Sequence, residues 1–296
     1  MSKRKPAPVS PRKTASVLAE AVIRTHWSSP SGAPVLRRGL CTLAQPVLMH
    51  AQHTPRFLFH DATVLLVVAG RLYLDDAVSP LSVDAQTSLL LVEPGTCADL
   101  LKTPGGPEKR FCSIFLTLSA NLLEAFHRDH SPPPPNDGNQ VSCRQAWLDD
   151  DLESTFRRVI ESVEAKPVSD ERLQYRLRDF LLALTERNHA FKDAKLGGTA
   201  GRLRRLIGEA PDQRWTAHEA GRALAMSEAT LRRRLAGESV RFEKLLVDIR
   251  MHHAMMLLQT TSWSIPRIAQ ACGYQSRARF ADRFRARFGY LPSAVR

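Results

Sequence analysis

The chain has 296 residues, 43% of them hydrophobic and 24% charged, a composition that excludes both a disordered chain and a membrane-embedded one. Its 42 lysines and arginines stand against 30 acidic residues; between Leu196 and Arg296 the balance is 18 to 8, and Lys244 is the one lysine there. An arginine-rich last third beside a nearly neutral remainder points to a polyanionic partner, nucleic acid first.

Residues 1–35 read as a flexible basic tail and lead-in. The five basic residues of Met1–Lys13 precede no apolar segment, so no secretory signal is expected. No apolar run approaches the ~20 residues that cross a bilayer. Cys41, Cys97, Cys112, Cys143 and Cys272 are scattered, odd in number and without a C-x-x-C pair. They suggest neither a disulfide framework nor a zinc site, and a cytoplasmic, reducing compartment is expected. From about Leu36 to Leu118 short apolar runs alternate with turns. Thr63–Ala69, Arg71–Leu74, Ser88–Glu93 and Phe111–Leu118 are broken at Ala69-Gly70, Glu93-Pro94-Gly95 and Thr103–Pro107. This punctuation predicts a β-barrel or a sandwich. A four-proline connector lies within Ser131–Asn139. Two amphipathic helices follow. Trp147–Ala165 shows Leu148, Leu152, Phe156, Val159 and Val163 on one face, and Ser169–His189 shows Leu173, Leu177, Phe180, Leu181 and Leu184. Lys192–Gly198 reads as a hinge.

The last third contains one pattern twice. Thr216 and Glu219 form a capping box for a helix that ends near Ala225; Ser227 then caps a second helix. Forty-eight residues later Ser264 opens a helix with Pro266 in its first turn, and Ser276 caps a last helix that ends at Gly289. Gly221 corresponds to Ala269 and Ala225 to Gly273, small residues where two helices cross. Each half is a helix, a tight turn and a second helix, which predicts helix-turn-helix units over 216–237 and 264–287. Leu231 and Leu235, like Phe280, Phe284 and Phe288, mark the inward faces. The opposite faces carry Glu228, Ala229, Arg232 and Arg233 in the first unit and Arg277, Ala278, Arg279, Asp282 and Arg283 in the second. Arginine on such a face can fork onto guanine or hold a phosphate, and Ser227 and Ser276 can donate to a phosphate at a helix start. A longer helix, Phe242–Gln259, with Phe242, Leu245, Leu246, Ile249, His253, Met256 and Leu257 inward, would space the two units.

Phe242, Leu246, Arg250, Ala254, Leu257, Leu258, Ile265, Ile268-Ala269, Gly273-Tyr274, Ser276, Phe280, Phe284, Phe288-Gly289, Pro292 and Arg296 together resemble the signature of the AraC/XylS-type transcription regulators. The resemblance covers about 199–296. It implies a sequence-specific DNA-binding transcription regulator, usually an activator, that places two recognition helices in successive major grooves of promoter DNA. It implies Ala229, Arg232 and Arg233 as base-reading positions in the first unit, and Arg277, Ala278 and Asp282 in the second, with Arg279 and Arg283 on phosphates. Asp282 could instead pair with Arg279 or Arg285, the reading preferred here. It also implies an α+β protein: a small cupin-like β-barrel with dimerisation helices over 36–190, sensing a small-molecule or protein effector, and an all-α DNA-binding domain over 199–296. RNA polymerase and a second copy of the chain are the implied partners. Ala225 and Ser239 depart from the family, which often has glycine at both positions; serine at a positive φ costs on the order of 1 kcal/mol.

His50, His53 and His60 lack the full spacing of a barrel metal site, and adjacent His252 and His253 project about 100° apart. No metal or cofactor is expected. No nucleophile elbow or phosphate-binding loop occurs, so an enzyme is not expected. The competing reading is a basic helical module that binds an acidic protein.

Overall fold

Two short, largely apolar runs set the centre of the first domain. They are among eleven strands found in the described residues: β1 (Val35–Arg37), β2 (Cys41–Ala44), β3 (Val47–Leu48), β4 (Gln52–Leu58), β5 (Ala62–Ala69), β6 (Arg71–Asp75), β7 (Leu81–Asp84), β8 (Ser88–Val92), β9 (Cys97–Thr103), β10 (Phe111–Leu118) and β11 (Cys143–Trp147). All of β8 and most of β5 are buried on both faces, as central strands with a layer on either side must be. The computed structural model describes Trp27 and residues 32–130, 141–165, 167–192 and 198–295. Apart from Trp27, the expected tail lies outside the described residues as far as residue 31, as do the four-proline connector and most of the expected hinge. Residues 1–30 and 31–296 are separate units, and the second is described below.

The expected barrel is not closed. One antiparallel sheet runs β1-β2-β10-β5-β8-β11, with β3 also on β10; a second runs β4-β9-β6-β7. Closure needs the edge strands to pair, and β4 is unsuited to it. Its Pro55 has no N–H, and Arg56 has a φ of 50° where the register with β9 shifts. The sheets instead face each other: Leu65, Val67, Leu90 and Val92 share a core with Leu72, Leu74, Val83 and Leu100. Short strands and turns are visible in a sequence, but whether edges meet is a long-range matter.

Helix α1 (Ala120–Asp129) follows β10, and α2 (Asp150–Glu164) and α3 (Asp170–Glu186) follow β11. Asp149 and Ser169 cap α2 and α3, and Phe156 meets Phe180 at 5.3 Å between them. The last third holds α4 (Thr199–Glu209), α5 (Ala217–Ala223), α6 (Glu228–Gly237), α7 (Phe242–Thr260), α8 (Ile265–Ala271), α9 (Arg277–Phe288) and a closing 3-10 turn. The 19 residues of α7 make a rod about 28 Å long. Its first half (Phe242, Leu245, Ile249) packs with Leu203, Ile207, Trp215, Leu231 and Leu235. Its second half (Met251, Ala254, Met255, Leu258) packs with Ile268, Phe280, Phe284 and Phe288 in a core continuous with the sheets. Burial on two sides widens the apolar face beyond the single stripe expected. His252, not His253, is the fully buried histidine, and Leu246, His253 and Met256 are half-buried.

Candidate nucleic-acid interface

Each unit is built by the same local chemistry. Thr216 and Glu219 complete a reciprocal capping box on α5. The Ser227 hydroxyl accepts the Thr230 N–H at 3.2 Å, and Ser276 accepts that of Arg279 at 3.3 Å. Ser264 stands at the N-cap of α8 but makes no such bond; Pro266 in the first turn leaves fewer amides to satisfy. The turns are left-handed at corresponding residues, Ala225 (φ 57°) and Gly273 (φ 76°), and Ser239 after α6 has φ 57°. Both departures from the family's glycines therefore fall on backbone that glycine favours. At Gly221 a Cβ would lie 2.9 Å from the Met226 carbonyl, so the helix crossing needs the smaller residue.

The inward residues of α6 and α9 are buried, and the other face of each is open. Ala229, Arg232 and Arg233 are exposed on α6; Arg277, Ala278, Arg279, Asp282 and Arg283 are exposed on α9. The side chains of Arg233, Arg277, Arg279 and Arg283 make no hydrogen bond or ion pair with any described residue, which leaves four guanidinium groups available to an anion. Arg232 differs. Its Nε donates to Glu228 Oε1 and an Nη to Glu243 Oε1, each at 2.9 Å, so two carboxylates hold it across α6 and the start of α7. Asp282 forms no ion pair with Arg279 or Arg285 among the described residues, contrary to the pairing preferred from sequence. On each helix one face carries these groups together, exposed to solvent.

Arg250 is a structural residue whose role sequence reasoning missed. From the middle of α7 its Nε and an Nη reach the carbonyls of Pro211 and Gln213 between α4 and α5, at 3.1 and 2.9 Å. Its guanidinium also lies 5.6 Å from the Tyr274 ring centre. A Cβ on Gly273 would come within 2.5 Å of that guanidinium. One side chain thus braces a loop of the first unit and the turn of the second. The signal was present: an arginine between Ile249 and Met251 of the long helix, with glycine and tyrosine at the opposing turn. Cys272 beside this turn is fully buried, and burial pushes its thiol up to about 12, which makes it a poor nucleophile.

A seam joins the sheets to the second unit. The carbonyls of the β4 bulge, Pro55 and Arg56, accept from Arg287 of α9, at 3.3 and 2.6 Å. His252 accepts the Leu58 N–H at 3.1 Å and packs 4.9 Å from Phe57. Burial, the larger cause, with Arg287 nearby, holds His252 down to about 4, so it is neutral. Lys102 of β9 is buried too, and its ammonium nitrogen donates to Gln259 Oε1 of α7 at 2.7 Å. Burial alone lowers it to about 7. Gln259 in turn donates to Gln52.

Between the large sheet, α1 and α4 lies a cavity of about 740 Å³. Arg37, His60, Asp61, Arg204 and Arg205 are among its walls. Both nitrogens of His60 and Nε of Arg204 are buried without a hydrogen-bond partner. His53 lies exposed, 3.6 Å from Asp99, and His50 is exposed. Among the described residues no three His, Cys, Asp or Glu converge as metal ligands, and no helix is long and apolar enough to cross a membrane.

Residues 221–296 match the family model of a helix-turn-helix domain. The urease operon transcriptional activator of Escherichia coli is 36% identical over 91 residues, 31% of this chain and 31% of that protein. The HTH-type transcriptional regulator YdeO of Escherichia coli K12 is 33% identical over 96 residues, 32% of this chain and 38% of its own. The virulence regulon transcriptional activator VirF of Shigella flexneri is 25% identical over 137 residues, 45% and 52%. The chain spans about a third to a half of the length of these relatives. Its fold is similar to that of a ligand-free single-residue variant of ToxT from Vibrio cholerae, with a TM-score of 0.59 at 13% identity, covering 86% of this chain and 96% of that one. Unsaturated fatty acid-bound wild-type ToxT gives 0.55, again at 13% identity, covering 90% and 96%.

Proposed function

Residues 221–296 form a helix-turn-helix domain of the AraC type, and from it we propose that the whole chain is a sequence-specific DNA-binding transcription regulator, acting as an activator in the cytoplasm. The observation that carries the reading is the pair of capped helices, α6 and α9, each with a buried apolar face and an open arginine face, held at the two ends of a rod about 28 Å long. That length is comparable with the ~34 Å repeat of duplex DNA, so the helices can enter successive major grooves. Ala229, Arg232, Arg233, Arg277, Ala278 and Asp282 are assigned to base edges. Ser227, Ser276, Arg279 and Arg283 are assigned to phosphates.

The sheet domain is assigned to sensing, with the 740 Å³ cavity as the place of a small effector. His60 and the Nε of Arg204, buried without hydrogen-bond partners, would donate to a polar head group there. An unsaturated fatty acid in a ToxT structure supports a small-molecule occupant. Tyr175 and Leu182, seven residues apart on α3, leave large apolar side chains exposed on one side of that helix, suited to a homodimer. RNA polymerase is the partner expected of an activator. No catalytic step is assigned.

The test is selection of the full chain on a random duplex library at two salt concentrations. Two short sequence blocks about one helical turn apart are expected. Equal binding to every sequence, lost as salt rises, would instead identify a general polyanion binder and favour an acidic protein partner.

A further inference from the structure

Helix α4 begins without a cap of its own. Its N-cap is Gly198, which offers no side chain to the first amides. The acceptor comes from 39 residues further on: Glu238 Oε1 accepts the Thr199 N–H at 2.6 Å, and Oε2 accepts the Ala200 N–H at 2.9 Å. A carboxylate at a helix start is favoured by the helix dipole and by charge-assisted bonds. Gly198 is a condition of this contact, since a Cβ there would lie 2.4 Å from Oε1. Glu238 is at the same time the C-cap of α6, its own N–H turned onto the last carbonyls of that helix. The left-handed Ser239 comes next. One residue therefore closes the end of the first reading helix and the start of α4.

The rest of α4 divides between two neighbours. Leu203 and Ile207 pack with Leu231 and Leu235 of α6. Gly201, Arg204, Arg205 and Gly208 face the cavity, and Arg205 donates to Asn121 of α1 at 2.6 Å. The second reading helix is attached elsewhere, by Arg287 to the β4 bulge. We propose that Glu238 is a positioning residue for DNA reading: it makes α4 and α6 move as one body, so that a change at the cavity wall reorients the first reading helix more than the second, which Arg287 ties to the sheets. This rests on the DNA-reading function proposed above.

The experiment uses the full chain with Glu238→Ala, Glu238→Gln and Gly198→Ala. Backbone hydrogen exchange needs no DNA. In Glu238→Ala and Gly198→Ala, Thr199, Ala200 and the last turn of α6 are expected to exchange about tenfold faster, and α9 at the wild-type rate. Selection on random duplexes gives the second readout, with the α6 block identified as the one that Arg232→Ala relaxes. Glu238→Ala is expected to lose about tenfold in preference within that block alone; Glu238→Gln, which keeps one acceptor oxygen, is expected to lose less. Unchanged base preference beside faster exchange, or equal loss in both blocks, overturns the proposal and leaves Glu238 a cap. Unchanged exchange in α6 overturns the coupling by itself. A wild-type chain without base preference overturns the DNA-reading function, and the positioning role with it.

Discussion

Arg232 and Arg233 are neighbours with different histories before any ligand arrives. Arg233 is free of described partners, whereas Arg232 is held between Glu228 and Glu243. Both ion pairs are exposed and add little stability, but they restrict where the guanidinium points. Arg232→Ala and Arg277→Ala are each expected to reduce discrimination between a selected and a random duplex by about 1–3 kcal/mol. Arg283→Ala is expected to weaken both duplexes alike and to lower the salt slope by about 1. Competition titrations at several salt concentrations separate the two; equal losses on specific and random DNA for all three variants would refute the assignment. Asp282, exposed and unpaired with Arg279 or Arg285, is available to accept from a cytosine amine. Asp282→Asn is therefore expected to change preference at one base position, read by selection, and an unchanged profile would count against its base-reading role.

Helix pairs place demands on their turns that the inward and outward faces do not reveal. Ala225 and Ser239 sit at φ 57°, where a side chain costs about 1–2 kcal/mol, while glycine adds about 0.4–1 kcal/mol of chain entropy to lose. Ser239→Gly is thus expected to raise stability by roughly 0.5–1 kcal/mol, measured by urea unfolding at constant m. Gly273→Ala is expected to do the reverse and by more. It meets both a φ of 76° and the Arg250 guanidinium, so the brace between the units must yield. A Gly273→Ala protein with unaltered stability would show that Arg250 does not hold this turn.

At the scale of the molecule the sheets and the second helix-turn-helix unit share one continuous core, crossed by buried polar links. Lys102 is the most consequential. Buried and bonded to the neutral Gln259, it titrates at about 7 instead of 10.5. Below pH 7 folded and unfolded chains both carry the proton, and the folded chain bears the full cost of a buried charge. Between about 7 and 10.5 unfolding takes up a proton, so this group's contribution makes stability rise with pH and level off above 10.5. Lys102→Met, which keeps an unbranched side chain one atom shorter and removes the charge along with the bond to Gln259, is expected to flatten that rise and to stabilise the protein at pH 7 by several kcal/mol. Thermal unfolding from pH 7 to 10 checks this; an identical profile in the variant would place the titration elsewhere.

Local signals carried the reading of the last third. Thr216, Glu219, Ser227 and Ser276 cap their helices where the residues themselves indicate, because capping is decided within four residues. The apolar period of α9 likewise announced which side of it would be open. Legible in the same way were the short strands and the turns between them. The sequence alone determined the capped helices of the last third, the charge division and the open arginine faces, all set by neighbours close along the chain; it did not show helix α1, and it placed Trp147 in a helix where the residue ends β11 and the helix starts only at Asp150. Tertiary structure decided whether the sheets close, which of two adjacent histidines is buried, that Arg232 meets Glu243 and that Glu238 caps a helix 39 residues earlier. Those outcomes depend on groups distant in sequence meeting in space, and no local period or propensity encodes that meeting.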